Sequence, residues 1–303
     1  MARILVTGAA GFVGRALCRW LARRGHDVLG MTRFPAAPVE GVELRPIGGI
    51  GPRTDWSDHF NRTEIVIHLA DRGPPETAAP AAAALARAAA GCGVRRLVHM
   101  SSARAMGEAT WPGAPFCATD LPLPRDSYGR AKLATELSLT SVVQKSGPDL
   151  VILRPPLVYG PGVKGNFRAL MQLVASGAPL PFGGIENRRS LIFLDNLVDL
   201  TERLCIADRA VGGVFLASDG IDLSTPELIR ALAVRLGRRV FLFTVPRAVL
   251  TPLGRVPGLG PLFRRLTLSL QVDDTTTRQA LGWSPAVSVE AGLAATTQAF
   301  RER

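Results

Sequence analysis

The sequence predicts an α/β protein built on a doubly wound parallel sheet, with a smaller C-terminal region beside it. Three observations carry this. Apolar runs of strand length alternate with helical patterns through the first half of the chain, the mark of a parallel sheet covered by helices. The first strand, Ile4 to Val6, breaks at once into Gly8, Gly11 and Gly14 and then into a helix. Residues able to do chemistry fall repeatedly where the strands end, the edge at which such sheets bind ligands. Together these describe a Rossmann arrangement.

In order along the chain, Gly8 permits the turn out of strand one and Gly11 lets a phosphate approach the backbone. Gly14 lets the helix from about Phe12 pack closely on the strand. The helix therefore starts with free N–H groups and its positive dipole end toward an anion, over Gly8, Gly11, Phe12, Val13 and Gly14. Gly25-His26 stops it, and Asp27 to Met31 reads as strand two. In such folds the end of strand two selects the cofactor: an acid suits a ribose hydroxyl, an arginine a 2′-phosphate. Thr32-Arg33 offers no acid and one arginine, so the sequence leans toward NADP over NAD.

Val42 to Ile47 and Glu64 to Ala70 follow as strands three and four, and the alanine-rich Ala78 to Gly91 as a helix. Leu97 to Met100 is strand five, with Ser101-Ser102 at its end. Gly107 to Arg125 lacks periodicity and reads as a loop. Asp126-Ser127 cap a helix, and Leu150 to Pro155 is strand six. After Gly160-Pro161-Gly162 the alternation loosens. The expected division is a dinucleotide-binding domain over 1–160, with 188–218 returning to the main sheet. The substrate-binding region would then be 161–187 and 219–303.

Composition excludes several classes. Of 303 residues 47% are hydrophobic and 20% charged, so the chain folds. No apolar run reaches the roughly 18 residues of a membrane span. Strand one directly after Met1 leaves no room for a signal peptide, which predicts a soluble, cytoplasmic protein without a membrane partner. The net charge of +11 comes mostly from arginines scattered in doublets such as Arg23-Arg24 and Arg188-Arg189. With no basic stripe carrying interleaved aromatics, this suits anionic small molecules and predicts no nucleic-acid partner. Cys18, Cys92, Cys117 and Cys205 stand singly and read as buried free thiols, with no metal site or disulfide framework.

Tyr128 and Lys132 are four apart, on one face of their helix. A phenol with a pKa of about 10 is a poor acid or base near neutrality; a neighbouring ammonium favours the phenolate and brings it into use. Ser102, at a strand end in the same crevice, can hydrogen-bond an oxygen that gains or loses charge. A Tyr, a Lys and a Ser around a dinucleotide suit hydride transfer at a carbinol or ketone.

Gly8-x-x-Gly11-x-x-Gly14, His68-Leu69-Ala70, Ser101-Ser102, Tyr128-x-x-x-Lys132, Arg154-Pro155-Pro156-Leu157-Val158-Tyr159-Gly160 and the closing Leu281-Gly282-Trp283-Ser284-Pro285 resemble the extended short-chain dehydrogenase/reductase family. This is its branch of NAD(P)-dependent nucleotide-sugar epimerases and dehydratases. The resemblance implies an enzyme with Ser102, Tyr128 and Lys132 catalytic. It puts Leu69, Ala70 and Pro155 beside the cofactor, together with Arg33, Tyr128, Lys132 and the glycine loop. It implies Asn166 and Arg189 on the diphosphate of a UDP-sugar and Leu180 and Phe182 at its uracil. The wording from Gly162 to Asp199 is similar to reductases acting at C4 of UDP-4-keto-6-deoxy-N-acetylhexosamines, used for surface polysaccharide. Reduction of a UDP-4-keto sugar is therefore the leading reading. Alternatives are a UDP-sugar 4-epimerase holding NAD, and a non-catalytic dinucleotide-binding sensor.

Three departures accompany the resemblance. Gly48-Gly49-Ile50 lacks the acid that family members turn toward adenine. Only 30 residues separate Ala70 from Ser101, and Ala78 stands where the family has the asparagine of its proton relay. The shortening also weakens the expectation of a homodimer through the usual helices. Met106 replaces the tyrosine that commonly precedes Gly107.

Overall fold

A computed structural model describes residues 1–302 except 57, 72, 145–146, 208–211 and 247–259, with backbone only at 260–262. Seven strands form the main sheet: β1 Arg3–Thr7, β2 Asp27–Thr32, β3 Val42–Pro46, β4 Ile65–His68, β5 Arg96–Met100, β6 Asp149–Arg154 and β9 Gly213–Leu216. Their order is β3-β2-β1-β4-β5-β6-β9, and every pairing is parallel. The order reverses between β1 and β4, which opens a crevice beyond their C-terminal ends.

Alternation within the strands divides the core. Ile4, Val6, Ile65, Ile67 and Val98 face α1 (Phe12–Arg23) and α5 (Leu194–Ile206). Leu5, Leu29, Val66 and Leu97 face the other way, toward α2 (Pro75–Gly91) and α3 (Ser127–Val143). Every buried branched side chain of this kind contributes about 1.5–3 kcal/mol. Both faces are consequently apolar, which is why these strands read as continuous hydrophobic runs.

The remaining elements are β7 (Leu157–Tyr159), β8 (Leu191–Phe193), α4 (Gly165–Ala175), α6 (Thr225–Leu236), α7 (Gly260–Thr267), α8 (Thr275–Leu281) and α9 (Val289–Arg301). Phe167, Leu170, Leu180, Phe182, Ile229 and Leu293 form a second core among them. Phe12 packs against both cores and joins the two regions.

Two expectations are corrected. Leu191 to Leu194 does not join the main sheet: β8 pairs with β7 in a separate two-stranded sheet, and residue Leu194 already begins α5. Only β9 completes the main sheet, beside β6. Of the cysteines, Cys18 and Cys205 are buried, where burial pushes each thiol up to about 12. Cys92 is exposed instead, because it caps the C-terminus of α2, and Cys117 is half-buried in the loop before α3. Among the described residues no helix is long and apolar enough to cross a membrane.

Candidate active site

The glycine loop is built so that nothing larger fits. Gly8 has φ +72°, and a Cβ on Gly14 would lie 2.2 Å from the Gly8 oxygen and 2.9 Å from the Ala9 Cα. The helix therefore begins hard against the loop. Gly11 is its N-cap and supplies no side-chain hydrogen bond, so no side chain takes up the first amide N–H groups, at Phe12 and Val13 among them. Free N–H groups at the positive end of a helix dipole suit a phosphate group.

Thr7 ties the cradle to the neighbouring strand end. Its Oγ1 accepts from the backbone N–H of Leu69 (3.1 Å) and Ala70 (3.2 Å). With both lone pairs used, its proton goes to His68 Nδ1 at 2.9 Å. That bond fixes His68 as the neutral tautomer protonated on Nε2. Burial pushes His68 down to about 4, with the Lys132 charge adding to the effect and Asp71 opposing it.

Directly after Ala70, Asp71 receives Lys132. The Lys132 Nζ donates to Asp71 Oδ1 (2.6 Å) and Oδ2 (2.7 Å), and to the Met100 carbonyl (2.9 Å). Burial alone would raise the Asp71 carboxyl, yet Lys132, His99 and His68 together hold it below the usual carboxylate range. His99 stacks on His68 with ring centroids 5.5 Å apart, and its Nε2 lies 3.5 Å from Asp71 Oδ2. Burial pushes His99 down to about 3.

Tyr128 stands at the start of α3, 46% exposed. The Lys132 Nζ is 5.8 Å and the Arg104 guanidinium 5.9 Å from the centre of its ring. Asp126 caps the helix by accepting from the Gly129 N–H (3.0 Å), and its other oxygen pairs with Arg104 at 2.8 Å. Arg104 belongs to the 3₁₀ turn Ala103–Ala105 that follows the two serines. Those serines have different duties. Ser101 donates to Glu136, which also binds Arg154 Nε at 2.9 Å. Ser102 Oγ accepts from the Arg104 N–H at 3.2 Å and keeps its own proton for a ligand. Pro155, at the end of β6, accepts from the Ala103 N–H at 2.8 Å and so locks that turn to the sheet.

Around this crevice, the segment 269–273 runs between two others. It is bonded to the loop before α3 (Thr110 N–H to Ser269 O, 2.9 Å) and to 188–190 (Leu270 N–H to Arg188 O, 2.9 Å). Arg189 is thereby brought toward Arg104 and Arg265. Burial pushes Arg189 down to about 10, and the like charges of Arg104 and Arg265 push the same way. Three guanidinium groups gathered in this way favour an anion.

The other sequence-derived positions are less convergent. Asn166 is half-buried in the first turn of α4, and its amide makes no hydrogen bond among the described residues. Leu180 and Phe182 are 3% and 7% exposed, packed in the second core. Arg33 is exposed just beyond β2 and lies against the Phe34 ring, 5.6 Å from its centre. Beyond β3 lies a cleft of about 560 Å³, lined in part by Ile47, Gly49, Arg53 and His59. Ala78 is buried in the first turn of α2.

Sequence reasoning missed Asp71, His99, Arg104 and Arg265. Asp71 carried a usable signal: an acid placed at the same strand ends as Ala70 and Ser102.

The sheet order and the capless glycine-bounded helix, with the Tyr128–Lys132 pair at the strand ends, are those of a Rossmann-type α/β fold of the short-chain dehydrogenase/reductase kind. Residues 4–214 match the model of the NAD dependent epimerase/dehydratase family. The chain belongs to that family, and it is an enzyme. It is 37% identical to a UDP-glucose 4-epimerase of Vibrio cholerae, over 98% of this chain and 95% of that one. Among solved structures, the UDP-glucose 4-epimerase of Thermotoga maritima with UDP-glucose superposes with a TM-score of 0.78 at 24% identity, covering 99% of both chains. The UDP-glucuronic acid 4-epimerase of Bacillus cereus in complex with NAD does so with a TM-score of 0.80 at 21% identity, covering 99% of both. These two likenesses establish the fold.

Proposed function

We propose that this enzyme transfers hydride at C4 of a UDP-linked hexose, in the direction that reduces a 4-keto sugar. The observation that carries this reading is the gathering of Ser102, Tyr128 and Lys132 at the strand ends beside the glycine cradle. When bound, the nicotinamide cofactor supplies the hydride. Gly8, Gly11, Phe12, Val13 and Gly14 would hold its diphosphate, with Leu69, Ala70 and Pro155 along the crevice. The cleft beyond β3 has room for its adenine.

The protein's own contribution is positional and acid–base. Ser102, whose oxygen is already anchored by the Arg104 N–H, donates its proton as a hydrogen bond to the C4 oxygen. Tyr128, exposed at the crevice, gives its phenolic proton to that oxygen as the carbon is reduced. Lys132 sits behind the phenol and offsets the negative charge left on it. Arg189 and Asn166 would bind the UDP diphosphate, and Leu180 and Phe182 would support the nucleotide from the second core. Arg33 beyond β2, with no acid beside it, supports NADPH as the cofactor.

A second reading, 4-epimerisation of a UDP-hexose with NAD retained, draws support from the relative in Vibrio cholerae, named a UDP-glucose 4-epimerase. One experiment separates the two: the purified protein is offered NADPH and a UDP-4-keto-hexose. Oxidation of free NADPH supports the reductase. Conversion of a UDP-hexose to its C4 epimer without added cofactor supports the epimerase.

A further inference from the structure

Lys132 has three N–H donors, and all are committed: two to the oxygens of Asp71 and one to the Met100 carbonyl. Both side chains are withdrawn from water, Asp71 at 1% and Lys132 at 9% exposure. At Tyr128, with Nζ 5.8 Å from the ring centre, such a pair acts as a compact dipole and not as a unit positive charge. No such carboxylate is needed to fold the strand end, because Thr7 already ties Leu69 and Ala70 to β1.

We infer that Asp71 is a positioning residue that fixes Lys132 and cancels most of its field at Tyr128. Tyr128 then becomes an effective acid–base group only when Lys132 is drawn off one of the carboxylate oxygens. A ligand hydroxyl that takes one of the two N–H groups held by Asp71, while the third stays on the Met100 carbonyl, makes occupancy of the crevice and activation of the phenol one event. The inference rests on the reading of Tyr128 as the acid–base group.

The other charges around the pair are accounted for. Asp71 is faced by Lys132 from α3, by His68 from β4 and by His99 from β5. Both histidines are buried and neutral near pH 7, so neither replaces Lys132 as its partner. Tyr128 is faced by Lys132 from its own helix, by Arg104 from the 3₁₀ turn and by Arg265 from α7, with Asp126 bound to Arg104. The substitutions below alter only the Asp71–Lys132 pair.

The chain has two tyrosines. Tyr159 is buried and donates to Asp219 at 2.8 Å, and burial with that carboxylate pushes its ionisation far above the ordinary range. The near-ultraviolet absorbance of tyrosinate in the folded protein therefore reads Tyr128, and Tyr128→Phe, which removes the step, is the control. The titration needs neither cofactor nor sugar, so its outcome is independent of whether the proposed reaction is found. Asp71→Asn leaves Lys132 uncompensated, and its tyrosinate midpoint is expected about 1 pH unit below that of the wild type. Asp71→Asn combined with Lys132→Met removes the pair as a whole, a change that folded proteins tolerate, and its midpoint is expected to match the wild type. If the single variant does not fold, the double variant decides alone. An unchanged or raised midpoint in Asp71→Asn overturns the inference, as does a raised midpoint in the double variant.

Discussion

A Cβ on Gly129 would lie 2.3 Å from the carbonyl oxygen of Arg104. The residue after Tyr128 thus has no side chain because α3 must press against the 3₁₀ turn that carries Ser102. Replacing Gly129 with alanine is expected to push the helix off that turn by about 1 Å, the scale on which positioning decides rate. Misplacement on this scale at a reacting centre costs about 100-fold. The check is kcat for Gly129→Ala at saturating substrate, with a thermal melt showing a fold that remains intact.

Gly14 makes the same argument for the cofactor. Its alanine variant brings a methyl to 2.2 Å from the Gly8 oxygen, a backbone atom that has little room to yield. Overpacking of this kind costs about 1–3 kcal/mol, and the displaced cradle no longer fits a diphosphate. Titration of the variant with NADH or NADPH, followed by nicotinamide fluorescence, is expected to show at least a tenfold weaker affinity.

Much of this was legible in the sequence, and the reason is physical. Glycines at positions 8, 11 and 14 are dictated by backbone approach, and Tyr128 and Lys132 by the pitch of a helix; both are local rules. The inner strands of the main sheet are apolar on both faces, so their runs stood out. Leu191 to Phe193 is equally apolar yet pairs with β7, because apolarity reports burial and not which sheet does the burying. Asp71, His99 and Lys132 meet only through strand order, at separations in sequence that no local pattern reports. Arg104 and Arg265 approach Arg189 through the pairing of 269–273 with its neighbours, which is likewise tertiary.

The buried histidines predict an acid limit to stability. Unfolded, each would titrate at about 6.5; folded, burial holds His68 at about 4 and His99 at about 3. A depressed folded pKa gives stability that is complete above the unfolded value and lost as pH falls through it toward the folded one. Between about pH 6.5 and 5 unfolding therefore takes up to two protons at these sites, a slope of up to about 2.7 kcal/mol per pH unit. Chemical denaturation across that window measures the slope, and His99→Gln is expected to reduce it by about half.

Arg189 tests the anion side of the crevice. Loss of a charged hydrogen bond to a diphosphate costs about 1.5–3 kcal/mol, so Arg189→Gln is expected to raise KM for the UDP-sugar about 10–100-fold with kcat little changed. Because Arg189 also donates to the Leu268 carbonyl at 2.8 Å, a melt must accompany the kinetics. A fall in kcat at constant KM would place Arg189 in the chemistry and not in binding.

The central claim, that Tyr128 and its neighbours direct hydride transfer to C4 of a UDP-4-keto-hexose, is tested most directly by mixing the purified enzyme with NADPH and that sugar and following NADPH absorbance. The expected result is stoichiometric oxidation of NADPH, slowed about 100- to 10,000-fold by Tyr128→Phe. A protein that emerges from purification with one equivalent of bound NAD, ignores added NADPH and interconverts UDP-hexoses at C4 would contradict it.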